Sequence, residues 1–209
     1  ILTRMEADGL AFDDALREAQ QQGYAEADPA LDIDGIDTAH KAVIVASLAY
    51  GFPVPMPAVS VEGIRNLSAT DIRYAADMGY RIKLLAIVKC SGDAVEVRVH
   101  PTLVARGSML ASVSGVFNAV MVDADLAGKT LYYGRGAGRL PTASTVIGDV
   151  ADVTRNLVSE SPRRVPAIAP SCGRLRLRPV SEIRSRYYLR LALQDSPGVL
   201  AQIASVLAS

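Results

Sequence analysis

The stretch from Arg81 to His100 constrains the fold more than any other. Arg81 to Cys90 is rich in Ile, Leu and Val and reads as a buried strand. Ser91-Gly92-Asp93 is a turn, and Ala94 to His100 then alternates, with Val95, Val97 and Val99 on one side and Glu96, Arg98 and His100 on the other. Period-two alternation belongs to a strand, and two such runs joined by a short Gly-containing turn pair antiparallel. Gly115 to Val122 and Lys129 to Tyr133 read as two further strands joined by another short connection. Consecutive strands with tight turns need helices to cover one face. The fold class expected is therefore α+β, with a mainly antiparallel or mixed β-sheet covered by helices on one face.

The helices are legible from spacing. Phe12, Ala15, Leu16 and Ala19 recur at helical intervals from Phe12 to Gln22, with Gly23 as the stop. Asp37 is placed to cap a helix from Thr38 to Tyr50, with Val45, Leu48 and Ile44 as its apolar stripe. Ser68-Ala69-Thr70-Asp71 is a capping-box variant with Asp in place of Glu, opening a short helix that stops at Gly79. Pro141 opens a helix to about Leu157, and Val146, Val150, Val153 and Leu157 give it an apolar face. Residues 159–186 carry several prolines among many arginines and read as a linker with one short strand. Tyr187 to Leu193 reads as a strand, and Asp195-Ser196-Pro197-Gly198 as the turn into a last helix. The opening Ile1-Leu2-Thr3-Arg4-Met5-Glu6 reads as a helix interior, which implies that residues precede it.

Charge and composition remove whole classes of partner. Lys and Arg total 22, as do Asp and Glu, so no net field favours nucleic acid or an anionic membrane. Trp is absent and aromatic residues are few, which removes a stacking platform for single strands. The longest apolar run, Ala42 to Tyr50, falls far short of the roughly 20 residues of a membrane span. Cys90 and Cys172 stand far apart and read as free thiols, and no metal-ligand spacing is present. A reduced, cytoplasmic protein is expected.

The chemistry concentrates between Ala19 and Lys41, where Glu26, Asp28, Asp32, Asp34 and Asp37 precede His40 and Lys41. Asp37 and Lys41 are four apart and share a helical face. A lysine in a first helical turn meets the positive end of the helix dipole, which disfavours its charge, while nearby carboxylates favour it. Held between those effects, it can take part in proton transfer. The bland alternative is a solvated acidic loop before an ordinary surface lysine. His40 points about 100° away from Lys41 around the helix, and neither it nor His100 is assigned a role.

The spacing Ala19, Gly23-Tyr24-Ala25, Asp28-Pro29, Asp32-Ile33-Asp34-Gly35-Ile36-Asp37, Lys41 resembles the signature segment of homoserine dehydrogenases. Gly115-Val116-Phe117-Asn118-Ala119-Val120, Tyr133-Gly134-Arg135-Gly136-Ala137-Gly138 and Pro141-Thr142-Ala143-Ser144 resemble the same family, so the likeness runs through the chain. It implies reversible oxidation of L-homoserine to L-aspartate 4-semialdehyde with NADP or NAD, a step toward threonine, methionine and isoleucine. It implies Lys41 as the proton-transferring group. Glu26 would hold the substrate ammonium and lie near the nicotinamide, Asp32 and Asp37 would line the pocket, and Tyr24 would offer its backbone. The family's second active-site lysine and most of the cofactor's contacts belong to a nucleotide-binding domain that this sequence does not include.

Gly134, Gly136 and Gly138 alternate, but Arg139 or Pro141 stands where a dinucleotide fingerprint needs its third glycine, and no βαβ unit surrounds them. A tight strand-to-helix turn accounts for them equally well. The resemblance implies that Gly136, Ala137, Gly138 and Thr142 approach the cofactor and that the following helix returns to the nucleotide-binding domain.

The tail from Tyr187 resembles the first strand and helix of an ACT regulatory domain, with Asp195 and Gly198 at an amino-acid-binding turn, which implies threonine control. Only a β-α start is present, too little to bury a core of its own, so the tail should be disordered or docked elsewhere. The division implied is 1–158 for the catalytic and dimerisation domain, 159–186 for the linker and 187–209 for the start of the ACT domain. A homodimer is expected. Taken alone, these residues should catalyse nothing, and the alternative reading is a non-catalytic amino-acid-binding and dimerisation module.

Overall fold

The computed structural model describes residues 1–136, 138–161, 175–194 and 196–208. Ala137, Cys172 and Asp195, singled out above, lie outside the described residues. The elements run α1 (Leu2–Asp8), α2 (Phe12–Gln21), α3 (Ala30–Ile33), α4 (Ile36–Tyr50), β1 (Ser60–Val61), α5 (Ala69–Asp77), β2 (Tyr80–Ser91), β3 (Ala94–Ala105), α6 (Met109–Ser112), β4 (Phe117–Ala124), β5 (Gly128–Arg135), α7 (Arg139–Val158), β6 (Arg176–Leu177) and α8 (Val199–Ala208).

The expected hairpin is the centre of the sheet. β2 and β3 pair antiparallel from Tyr80↔Ala105 down to Ser91↔Ala94. Along its other edge β3 takes two short parallel partners, β1 at Arg98 and Val99 and β6 at Ala94 and Val95. The sheet is therefore mixed, and β6 is the one short strand expected in the linker. β4 and β5 form a separate antiparallel hairpin.

Helices cover one face of the sheet. Val95, Val97 and Val99 of β3 are buried against Ala39, Ala42 and Ala46 of α4. Ile82 of β2 closes a second cluster with Met5, Ala15, Ile72 and Ala75 from α1, α2 and α5. The stripe expected on α4 was wrong: Ile44, Val45 and Leu48 are 59%, 50% and 50% exposed. β-branched valines already fill the layer above the sheet, so α4 approaches with its methyl side chains and turns its large ones outward. The face of β3 opposite the valines is also buried. Glu96 and Arg98 pair there at 3.2 Å, although Nε and Nη1 of Arg98 have no partner in hydrogen-bonding geometry. The distance supports a charge pair and the angles do not support a directed bond.

Two further expectations, the cap of α4 and the strand at Tyr187, need correction. α4 starts at Ile36 with Gly35 as its N-cap, so Asp37 lies inside the first turn rather than capping it. Gly35 has φ 79°, and a Cβ there would stand 3.3 Å from Cγ1 of Val99, which makes a bare residue the one that fits. α7 forms as expected, but none of its residues is buried, and Val146, Val150, Val153 and Leu157 stay exposed. Tyr187 to Leu193 forms no strand: none of its residues pairs with a strand among the described residues. The segment is docked through side chains instead: Tyr188 and Arg190 bond to Asp71 of α5. No helix among the described residues is long and apolar enough to cross a membrane.

Candidate active site

The acidic segment is not a plain loop. Asp28 accepts a hydrogen bond from the Ala30 amide at 3.1 Å, and Pro29 precedes the short helix α3. The carbonyl of Asp32 takes the Gly35 amide at 3.2 Å, and the turn at Gly35 then feeds α4. The short helix α3 and the longer α4 meet at one tight corner and hold Asp32, Asp37 and Lys41 on a common ridge.

Lys41 Nζ donates to Asp37 Oδ2 at 2.6 Å. Asp37 is one turn below it on α4, in the order that also suits the helix dipole. Because α4 begins two residues earlier than the spacing suggested, Lys41 sits in the second turn, where the dipole has largely faded. The carboxylates, rather than the helix end, make up its electrostatic surroundings. Asp32 is held above the ordinary carboxyl value, first by burial and then by the like charges of Asp37 and Glu26, with Lys41 opposing. That coupling puts Glu26, Asp32, Asp37 and Lys41 in one electrostatic group. Three carboxyl groups around one amine leave negative charge to spare, which suits a cationic ligand group such as an ammonium. Lys41 is 73% exposed at the side chain and Tyr24 53% exposed overall, so this ridge is one open wall.

What holds the wall escaped the sequence reading. Gly63, just after β1, presses against the acidic segment: a Cβ there would stand 2.2 Å from the Ile33 carbonyl oxygen and 2.4 Å from Asp34 Cα. The next amide, Ile64, donates to that Ile33 oxygen at 2.7 Å. Arg65 then grips Asp34 with Nε and Nη2 at 3.0 and 2.9 Å. The Arg65 bonds keep the Asp34 carboxyl below its usual range. Gly63-Ile64-Arg65 is thus a clamp on the loop. A Gly followed two residues later by Arg is too common a pattern to announce it.

The glycine loop has its own logic. A Cβ on Gly136 would fall 2.1 Å from Nδ2 of Asn118 on β4. Gly138 is the N-cap of α7 with no side-chain cap, and its carbonyl takes the Thr142 amide at 3.0 Å. Phe117 and Tyr133 stack at 4.9 Å across the β4–β5 hairpin, and Arg135 lies over Phe117. An uncapped helix end beside Arg135 and Arg139 fits an anionic group such as a cofactor phosphate. Among the described residues no hydrogen bond or ion pair joins this loop to the Lys41 ridge, so the two groups of expected site residues are not brought together by direct bonding. No cluster of His, Cys, Asp and Glu among the described residues is arranged for a metal. Gly198 precedes α8, with its carbonyl taking the Gln202 amide at 3.1 Å.

Comparison with known proteins agrees along the chain. The family model for homoserine dehydrogenase matches residues 1–151. A homoserine dehydrogenase of Neisseria gonorrhoeae is 49% identical over 211 residues, covering 100% of this chain and 48% of that protein. The crystal structure of a homoserine dehydrogenase from Thiobacillus denitrificans superposes with a TM-score of 0.90 at 48% identity, over 99% of this chain and 48% of the other. A hyperthermophilic archaeal homoserine dehydrogenase mutant in complex with NADPH has a TM-score of 0.58 at 32% identity, over 74% of this chain and 43% of the other. The chain spans about half the length of the curated relatives it matches. With the signature spacing, the fold and these likenesses in agreement, the chain belongs to the homoserine dehydrogenase family.

Proposed function

We propose that the protein carrying this chain oxidises L-homoserine reversibly to L-aspartate 4-semialdehyde, and that Lys41 is its proton-transferring residue. The observation that carries this is the Lys41–Asp37 pair at 2.6 Å, set within an excess of carboxylates. Glu26 and Asp32 hold the substrate ammonium, Asp37 orients Lys41, and the Tyr24 backbone completes the wall. As the hydroxyl proton leaves the carbinol oxygen, Lys41 receives it as the neutral amine and becomes the ammonium, and in the reverse direction the ammonium returns it. NAD or NADP supplies the hydride acceptor. Gly136, Ala137, Gly138 and Thr142 border its anionic part at the head of α7, and most of its contacts come from residues beyond this chain.

The wider reading follows the same assignment. Residues 1–158 form the catalytic and dimerisation domain, 159–186 a linker, and 187–209 the start of an ACT domain in which Asp195 and Gly198 border a threonine site. The exposed apolar side chains of the β4–β5 hairpin, Val120, Val122, Tyr132 and Tyr133, support a homodimer. The location is cytoplasmic.

The test is homoserine-dependent reduction of NAD and NADP by the full-length protein beside Lys41→Ala. Loss of about 10²–10⁴-fold in kcat supports the assignment. Activity retained in the variant moves the proton transfer to another group. No activity in the parent with either cofactor favours the amino-acid-binding module.

A further inference from the structure

Asp71 has more partners than a helix cap needs. As the third residue of α5 it takes the Ser68 amide at 2.9 Å and the Ser68 hydroxyl at 2.6 Å, while its own amide donates to that hydroxyl. This is the capping box that the sequence announces. The second oxygen, Oδ1, is occupied from far along the chain: Tyr188 Oη donates at 3.0 Å and Arg190 Nε at 2.7 Å. Asp71 is only 4% exposed, so this is a shielded, charge-assisted junction rather than a surface pair.

The junction stands directly behind the clamp. The chain that enters the Ser68 cap is Gly63-Ile64-Arg65-Asn66-Leu67, whose first three residues grip Ile33 and Asp34. The Leu67 amide is tied back to the Ile64 carbonyl at 3.1 Å. Between the docked tail and this stretch lies a small cavity of about 190 Å³, with Glu62, Gly63, Asn66 and Leu67 on one side and Tyr188 and Arg190 on the other. Hydrogen bonds therefore run from the tail through Asp71 to Ser68, the backbone continues from Ser68 into Leu67, and the Leu67 and Ile64 amides carry the link on to the clamp and the acidic loop.

We propose that Asp71 is a latch by which the C-terminal segment Tyr187 to Leu193 holds the clamp against the acidic loop, so that releasing the segment loosens the wall carrying Asp32, Asp37 and Lys41. Seating the segment stiffens the wall and favours the amino-acid substrate, and undocking weakens its binding without removing a reacting group. The effect on substrate rests on the reading of that wall as the active site, whereas the mechanical link does not.

Tyr188→Phe with Arg190→Gln in the full-length protein removes both tail donors and leaves the Ser68–Asp71 box intact. Amide hydrogen exchange reads the link directly, because the Ile64 amide makes the backbone bond between clamp and loop. The expected result is exchange about tenfold faster at Ile64 and across the acidic loop, with the β3 amides Val97 and Val99 unchanged. KM for homoserine should rise severalfold while kcat stays within about twofold. Arg190→Lys, which keeps a cationic donor, should recover part of the protection. Faster exchange confined to the tail, or no change at either place, overturns the latch. If the Ile64 exchange rises and KM does not, the link stands and the assignment of the wall as the substrate site falls. Should the double variant speed exchange in β3 as well, Arg190→Lys alone decides, by whether Ile64 departs from β3.

Discussion

Gly63→Ala is the sharpest test of how the acidic wall carrying Asp32, Asp37 and Lys41 is held. A methyl group at Gly63 would lie 2.2 Å from the Ile33 carbonyl oxygen, 2.4 Å from Asp34 Cα and 2.8 Å from the Asp34 carbonyl carbon. All three obstacles are backbone, so no rotamer change relieves them. The acidic loop must retreat by ~1 Å, and a misplacement of that size at a reacting group costs on the order of 10²-fold in rate. Overpacking costs about 1–3 kcal/mol in stability, and stretching the 2.7 Å Ile64–Ile33 bond adds about 0.5–1.5 kcal/mol. The assay is kcat/KM for homoserine in the full-length protein, with a denaturation midpoint alongside. Gly107→Ala is the control, since a Cβ at Gly107 meets nothing within 4 Å. The expected result is a loss of about 100-fold in kcat/KM for Gly63→Ala with a lowered midpoint, against little change for the control. A Gly63→Ala protein with parental kcat/KM and midpoint would refute the claim that this contact sets the wall.

Gly136→Ala should raise KM for the nicotinamide cofactor roughly tenfold, equal to about 1.4 kcal/mol, with a smaller effect on homoserine, because Asn118 must swing away from the new methyl group. Steady-state kinetics with each substrate varied in turn separates the two. Asp32→Asn should raise folding stability at neutral pH by less than about 1 kcal/mol while weakening homoserine binding. The sign follows from its raised carboxyl: that contribution is present below the unfolded value and lost as pH rises through the folded one, so at neutral pH the charged form is a cost that Asn removes. Denaturation at pH 7 beside a binding assay checks both halves. Burial pushes the Asp71 carboxyl up, but hydrogen bonds from Ser68, Tyr188 and Arg190 outweigh that and hold it below the ordinary aspartate value. Its stabilisation is therefore complete above that value and lost as pH falls through the lower folded one, and the side-chain NMR signals of the Tyr188 ring and the Arg190 guanidinium should shift only in that acid range. Gly148→Ala, inside α7 with open space around it, should stabilise that helix by about 0.5–1 kcal/mol, read by thermal denaturation.

Much of the scaffold was legible because it is encoded locally. The β2–β3 hairpin, the Ser68 capping box and the periodic helices each state their conformation within a dozen residues. The errors came where distant parts of the chain decide. Which side of α4 faces the sheet depends on the volume that Val95, Val97 and Val99 already occupy, and the valines lie some fifty positions away. Tyr187 to Leu193 has the composition of a strand, but a strand needs a neighbouring edge, and composition does not supply one. At the site, the resemblance singled out Glu26, Asp32, Asp37 and Lys41, and the structure gathers these four charges into one electrostatic group. Gly63, Arg65 and the tail's grip on Asp71 stayed hidden, because each acts only through a partner that folding brings to it.

The alanine face of α4 works as a spacer gauge. Ala39, Ala42 and Ala46 set how far the helix axis stands from β3, and Lys41 rides on that same rigid rod. A single added methylene at Ala46 would act on the rod like a shim under one end of a lever, lifting the far end where the amine sits. Variation at these buried positions would be paid in reach rather than in chemistry, so the aim of Lys41 is tuned from inside the core as much as by its carboxylate neighbours.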